Sequence, residues 1–557
     1  MTNLIPFPTP LGADPTKIRA ASWTAFAVGF GLVALTTLSR TPDGFFYMDD
    51  FIGIQHQGST LSLAISPYGG HLSYSAGLLW FGWLEAFGTS SYTPFLVLAI
   101  CLTGLNAAAL SVTVSRLINP LAGLAAAAWL LLLGPAFHNQ LWDQASLSQL
   151  ASTAVILVPV VIGIGRRGVI FALPLVVVGF GVGGLGFGVL VGFCALCLAM
   201  RKWAIAVTLI ACLAAAVIIA AGSGAASAGR DPSLLGTVAR IPTYVLSALQ
   251  ETIRLSLNVP TPMAGALAVG VIVLVGMATY RALSHVELLE SRCLIISASY
   301  LLATWAVAGF VRGILEEVAA PRYIGVTAPV LLLACIASLV LLGPPVRSLA
   351  IQMAPKLNVP SLTAAICLVL GIAALSNTPN WLQARTNTSY LGSLNLARLA
   401  AMHAGTSWIA PAFKPSGEGL TYVQQDAIEL AWSARGEPRL QPSAIATREH
   451  AAESATAFVT TVIEAGGVEE ARSSATAAVS WSSCQRTANT NNVTPQSATW
   501  FRVRGSTDGV TAQALGSSAV PVPIVDKPGI YKLNPTVGGG QWKLNAPQGC
   551  ISLRNAP

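Results

Sequence analysis

Leu72–Gly88, LSYSAGLLWFGWLEAFG, is the stretch on which the threading of this chain turns. It has the apolar content of a membrane crossing and the length of a helix that lies along a membrane surface. The surroundings are membrane-like: of 557 residues 54% are hydrophobic and 10% charged. Mean hydropathy is +0.65, whereas a soluble globular chain carries roughly 25% charged residues.

Charge parity decides between the two readings. If Leu72–Gly88 does not cross, and Tyr92–Ser115 is the next crossing, then Arg116, Arg166, Arg167, Arg201, Lys202, Arg281, Arg292, Arg347 and Lys356 fall on one face together with Lys17 and Arg19. If it does cross, nearly all the later ones move to the other face, against the positive-inside rule. The non-crossing reading predicts eleven spans, near 20–39, 92–115, 120–136, 149–165, 168–183, 185–200, 203–222, 262–280, 292–311, 323–342 and 359–375. Inner segments then carry 11 Lys+Arg and outer ones 6, namely Arg40, Arg230, Arg240, Arg254, Arg312 and Arg322. The expected fold is an all-α polytopic membrane domain of about 11 helices over residues 20–375, in the plasma or inner membrane, preceded by a cytoplasmic tail, 1–19. The first span, Ala20–Ser39, is long enough to cross ~30 Å of hydrocarbon, and it lacks a small-residue cleavage site.

An odd number of spans sends residues 376–557 outside. Composition shifts there: 14 of the 31 basic residues and abundant Gly, Ser, Thr, Asn and Pro point to an exoplasmic soluble domain, mixed α/β or β-rich. Ser393–Ala404 and Thr447–Ala465 read as helices; Trp500–Val503, Ala519–Val525, Gly529–Leu533 and Gln541–Leu544 read as short strands. Cys484 and Cys550 are its two cysteines and are expected to pair in an oxidising exterior, contributing about 4 kcal/mol in the loop-entropy picture. Cys194 and Cys197 have CxxC spacing but sit within a span, where packing is the simpler role. The net charge of +8 is scattered rather than gathered into a patch with interleaved aromatics, which excludes a nucleic-acid partner. There is no P-loop, HExxH or GxSxG, and GFGVGGLGFG lies between two spans, where glycines serve close helix packing and a sharp hairpin.

Outer segments collect the chemistry. Asp49 and Asp50 sit in the exported loop 40–91, His71 at the end of its polar part, and His138 and Asp143 in HNQLWDQASLSQ. Arg240 and Arg254 lie on the amphipathic stretch Pro232–Pro262, and VRGILEEVAAPRY carries Arg312, Glu316, Glu317, Arg322 and Tyr323. Guanidinium groups suit a phosphate, and a carboxylate suits the proton of a hydroxyl acceptor. Each has a plainer role: Asp49–Asp50 as a solvated loop start, Asp143 as a helix cap, Arg322 as a snorkelling or ion-paired residue, and Trp80, Phe81, Trp83 and Phe87 as an interfacial belt.

YMDDF after the first span, LLWFGWLEAFG, the Asp143 loop, FGVGGLGFGVL and PRY opening a late span together resemble the GT-C superfamily of membrane glycosyltransferases. Within it they are most similar to the branch containing bacterial protein O-mannosyltransferases and lipid A aminoarabinose transferases. The resemblance spans roughly residues 20–375. It implies transfer of a sugar, usually with inversion, from a polyprenyl-phosphate donor to a glycan, lipid or protein acceptor on the outer face. Asp49 or Asp50 would be the general base, Asp143 a further catalytic acid, and Arg322, Tyr323, Arg312, Arg240 and His71 the donor-phosphate contacts. A divalent ion at Asp49/Asp50 is the one cofactor this leaves open. The chain departs from the family in having Asp50 where Glu is usual, Pro67-Tyr68-Gly69-Gly70-His71 in place of a Pro-Pro pair, and Leu185 at the position of a hairpin lysine. Trp481, Trp500 and Trp542 suit sugar stacking. The competing readings are a proton-coupled transporter or flippase, which needs ionisable residues in mid-span, and a polymerase or ligase of lipid-linked glycans.

Overall fold

The computed structural model describes residues 15–41, 46, 54–55, 74–141, 143–165, 167–222, 234–312, 321–353, 359–404, 409–410, 413–415, 420, 423–436, 451–465, 468–470, 491–493, 499–505, 511–514, 522–523, 529–533, 542–545 and 549–553. Helices dominate. In order they are α1 (Pro15–Arg40), α2 (Tyr74–Phe87), α3 (Thr93–Leu117), α4 (Pro120–Leu131), α5 (Phe137–Leu141), α6 (Asp143–Leu147), α7 (Gln149–Ile162), α8 (Gly168–Phe180), α9 (Gly184–Ala199), α10 (Trp203–Gly222), α11 (Leu234–Leu257), α12 (Thr261–Ser284), α13 (Leu289–Arg312), α14 (Pro321–Met353), α15 (Val359–Ala404), α16 (Gln425–Arg435) and α17 (Ala451–Glu464).

Seven helices among the described residues are long and apolar enough to cross a membrane: Thr16–Arg40, Thr93–Leu117, Ala145–Ile162, Thr261–Ser284, Leu289–Phe310, Tyr323–Gly343 and Thr363–His403. Shorter apolar helices, Pro120–Leu131, Gly168–Phe180, Leu185–Ala199 and Trp203–Cys212, lie at the other apolar stretches. The chain is thus a helical membrane protein. Helix α2 has 14 residues, about 21 Å at the usual rise per residue, much the same length as α4 (12 residues) and α8 (13 residues), so length by itself does not set it apart from them.

The chain divides into two compact units. The first comprises Met1–Arg40, Gly58–Gly82 and Phe95–Arg385; the second comprises Thr41–Gln57, Trp83–Pro94 and Thr386–Pro557. Within the first, α9 packs on α13 because Gly188 and Gly192 carry no Cβ: one added at Gly188 would stand 2.9 Å from the Tyr300 carbonyl, and one at Gly192 2.8 Å from that of Ile296. Gly179 brings α8 against α7 in the same way, at Ala154. Helices α3 and α7 are stitched by polar pairs: Gln149 Nε2 donates to Thr103 Oγ1 at 3.0 Å, Thr153 Oγ1 to Asn106 Oδ1 at 3.4 Å, and Thr113 Oγ1 to the Ile156 carbonyl at 3.2 Å. Cys194 and Cys197 are buried and free, in keeping with packing.

The hairpin between α8 and α9 turns at Gly183, whose φ of +86° only glycine adopts easily. Its Gly181 carbonyl accepts the backbone N–H groups of Ser75 (3.0 Å) and Ala76 (3.1 Å), two of the orphan donors at the start of α2. Tyr74 Oη adds a 2.6 Å bond to the Val177 carbonyl. Trp80 and Phe81, expected in an interfacial belt, are instead buried, Trp80 against Phe95 with ring centroids 5.2 Å apart. Their positions on α2 face the packed side of that helix.

Composition changes after Leu375, but the helix does not end there. Trp381, Ala384, Leu394, Leu396 and Leu399 keep a buried apolar side through the polar-rich stretch, so α15 runs on to Ala404.

The second unit holds two four-stranded antiparallel sheets. Strands are β1 (Val468–Glu470), β2 (Asn491–Val493), β3 (Thr499–Gly505), β4 (Thr511–Ala514), β5 (Val522–Pro523), β6 (Gly529–Leu533), β7 (Trp542–Asn545) and β8 (Gly549–Leu553). One sheet has the order β1-β6-β3-β8, the other β2-β7-β4-β5. Phe501 and Tyr531 stack on the first at 5.5 Å.

Candidate functional site

Asp49, Asp50 and His71 lie outside the described residues. Of His138, Asp143, Arg312 and Arg322 only the helical backbone is described. Tyr323 is half-buried in the first turn of α14, where its carbonyl accepts the Thr327 hydroxyl at 2.9 Å. Arg240 is exposed on α11. Arg254, the second basic residue of the amphipathic stretch, pairs with Glu251 on its own helix through Nε (2.7 Å) and Nη2 (2.5 Å). The pair lies one turn apart on α11, about one-third exposed, and the bond to Glu251 raises the guanidinium pKa. Glu316, Glu317, Trp481 and Cys484 lie outside the described residues; Cys550 contributes only its backbone, to β8. Among the described residues no three His, Cys, Asp or Glu side chains gather as metal ligands do.

In the first unit the segment carrying Asp143 is fastened by a residue that lies beyond the last expected span. Arg385, on α15, is 2% exposed. Its Nε donates to Thr37 Oγ1 near the end of α1 (2.8 Å), Nη1 to the Trp381 carbonyl (2.9 Å) and Nη2 to Gln140 Oε1 on α5 (3.1 Å). The guanidinium carbon lies 3.5 Å from the centroid of the Trp381 ring, a cation–π contact. Gln140 Nε2 in turn donates to the Leu130 (3.2 Å) and Leu133 (3.4 Å) carbonyls at and just after the end of α4, which also accept the Leu133 and Ala136 N–H groups. No carboxylate among the described residues lies within ion-pair distance of Arg385. This buried cation is therefore solvated by neutral oxygens and a ring, an arrangement that holds the ends of α1, α4 and α5 to the middle of α15. Gly134 lets the turn before α5 lie on α15, for a Cβ there would be 2.8 Å from the Trp381 nitrogen. Asp143 follows Gln140 by three residues, so its backbone is carried by the same fastening. The signal present in the sequence was Trp381 and Arg385 at helical i, i+4 spacing, obscured by the polar residues around them.

In the second unit, the described residues on either side of the acidic pair are both anchored. Phe46 is 1% exposed and meets Tyr92 edge-to-face with centroids 5.2 Å apart. Ile54, also 1% exposed, offers its carbonyl to Arg435 Nη1 at 2.5 Å, and Gln55 Oε1 accepts the Gln424 N–H at 3.1 Å. Arg435 is the last residue of α16; burial lowers its pKa while the Glu85 carboxylate opposes the shift. The Arg435 carbonyl accepts the Thr89 N–H at 3.1 Å, and the Gly436 carbonyl accepts the Thr89 hydroxyl.

Comparison with protein-family models, curated proteins and solved structures returns no match.

Proposed function

We propose that this chain is a membrane glycosyltransferase that moves a sugar from a polyprenyl-phosphate donor to an acceptor hydroxyl on the outer face of the plasma or inner membrane, with its N-terminus cytoplasmic and its C-terminal domain exoplasmic. Asp49 or Asp50 takes the proton of the acceptor hydroxyl as its oxygen bonds to the anomeric carbon. The carbon–oxygen bond to phosphate breaks, and the electron pair leaves with the polyprenyl phosphate, held by Arg322 and Arg312 with Tyr323, Arg240 and His71 near the headgroup. Asp143 is the further catalytic acid of the proposal.

The observation that supports this sidedness is the docking of Ser75 and Ala76 on the Gly181 carbonyl. Between these points the chain runs through α3, α4, α7 and α8. If each of those four crosses and α2 does not, the number of crossings is even and both points share a face. If α2 also crosses, the number is odd and the contact is impossible. Thr37, Gln140 and Arg385 obey the same parity, and Asn119 bonded to Thr363 at 3.0 Å obeys it at the opposite end. With that parity the loops carrying Asp49, Asp50 and Asp143 share one face in the proposal. Against a proton-coupled transporter, the candidate spans among the described residues hold one acid, Glu290, the second residue of its span, and the buried Arg385 of Thr363–His403 is bonded to neutral oxygens. A polymerase or ligase would share the lipid-linked donor without needing the first-loop acids.

The test uses strains whose only copy carries Asp49→Asn, Asp50→Asn or both. At least one single variant, expressed at normal level, should accumulate a polyprenyl-phosphoryl sugar detectable by mass spectrometry of extracted lipids, as a deletion does. Normal lipid-linked sugar levels in the double variant would remove the proposed base.

A further inference from the structure

Residues 41–57, the first part of the exported loop, belong to the same compact unit as residues 386–557. The two described points that flank the acidic pair are Phe46 and Ile54, both 1% exposed. The second of these is held by α16 rather than by its own neighbourhood in sequence: Arg435 Nη1 on the Ile54 carbonyl at 2.5 Å, and the Gln424 N–H on Gln55 Oε1 at 3.1 Å. Gln424 and Arg435 are the N-cap and the last residue of that helix, so both ends of α16 grip Ile54–Gln55. Phe46 is held by Tyr92, three residues from Thr89, and Thr89 bonds the Arg435 and Gly436 carbonyls. Arg435 thus reaches Ile54 with its side chain and the turn 88–92 with its backbone.

We propose that α16 is the positioning element for the acidic pair, with Arg435 as the positioning residue, and that this is a task of the C-terminal domain in catalysis. The inference rests on the transferase reading for its consequence, but not for its geometry. Seven residues separate Phe46 from Ile54, and a general base must sit within hydrogen-bond reach of the proton it takes. The clasp on Ile54–Gln55 fixes the described end of the loop whose acids the transferase reading makes the base. The guanidinium is suited to this because it stays charged when partly desolvated and makes a charge-assisted bond to a carbonyl.

The experiment compares full-length wild type, Arg435→Ala, Arg435→Lys and Gln55→Ala. Amide hydrogen exchange is followed in peptides covering residues 44–57, with β3 and β6 as folding controls, and lipid-linked sugar is measured in strains carrying each variant. Arg435→Ala should speed exchange around Ile54 by about tenfold or more, the size expected for one charge-assisted bond, and should accumulate lipid-linked sugar. Arg435→Lys, which keeps one donor, should recover part of both. Gln55→Ala should show a smaller change in the same peptides and serves if Arg435→Ala loses protection in β3 and β6. Unchanged exchange in 44–57 for both Arg435→Ala and Gln55→Ala overturns the clasp. Faster exchange without sugar accumulation, in a background where Asp49→Asn or Asp50→Asn does accumulate it, overturns the positioning role. If no acidic variant accumulates sugar, it is the transferase reading that fails, and the exchange data still decide the clasp.

Discussion

Replacing Gly88 by alanine is the sharpest single perturbation of the second unit. Gly88 follows α2 with φ +64°, and a Cβ there would lie 2.2 Å from the Arg435 carbonyl oxygen, a backbone atom that cannot rotate away. An alanine in the left-handed region costs about 1–2 kcal/mol before any clash. To make room, the 88–89 turn must leave α16, losing the Thr89 N–H bond to Arg435 and the Thr89 hydroxyl bond to Gly436, each worth about 1 kcal/mol. The sum is about 3–4 kcal/mol, or a factor of several hundred in the local opening equilibrium, since about 1.4 kcal/mol is tenfold. Gly82 supplies the internal control: it lies within α2, and a methyl added there would meet nothing within 4 Å, so alanine should be neutral or stabilising by up to ~1 kcal/mol. Amide exchange read in peptides covering 85–92 and 430–437 should accelerate by two orders of magnitude or more in Gly88→Ala and stay at wild-type rates in Gly82→Ala. Equal exchange in the two variants would show that the Gly88–Arg435 approach is not maintained in solution, and that α16 does not clasp the loop.

Other substitutions separate the remaining forces. Gln140→Leu strands the buried Arg385 cation without one of its acceptors and should cost about 3 kcal/mol, whereas Arg385→Met removes the charge together with its desolvation and should cost less; thermal unfolding in one detergent, with the order reversed, would refute the account of that network. Gln149→Leu removes the bond to Thr103 between two candidate spans and should lower stability by only ~0.6–1.7 kcal/mol, measured the same way. Glu251→Gln should change stability by less than ~1 kcal/mol, because the Arg254 pair is about one-third exposed. Its sign follows from the raised Arg254 pKa: the contribution is complete below the ordinary arginine pKa and lost only as pH rises past the raised one, so thermal midpoints of wild type and variant should run parallel from pH 5 to 9, roughly the neutral range between carboxylate and arginine titration.

Much of the membrane architecture was legible in the residues. Each apolar stretch marked as a span coincides with an apolar helix because ~20 apolar residues with few charges leave the backbone no option in lipid but to satisfy itself. Of the hairpin glycines read as tight packing, Gly179 and Gly188 do stand where one helix closes on another. In the C-terminal region turn-bounded alternation located β3, β6 and β7, while β1, β2 and β4 are too short and polar to stand out.

By itself the sequence determined the polytopic class, the apolar helices and the charge parity that argues against a crossing by α2, because these depend on local hydrophobicity and charge. Only the tertiary structure decided that Arg385 belongs to the bundle, bonded to Thr37 and Gln140, that Trp80 and Phe81 are core, and that Arg435 holds Ile54. Those partners lie 245 to 381 residues apart, and a hydrogen bond leaves no periodic trace in either of the segments it joins.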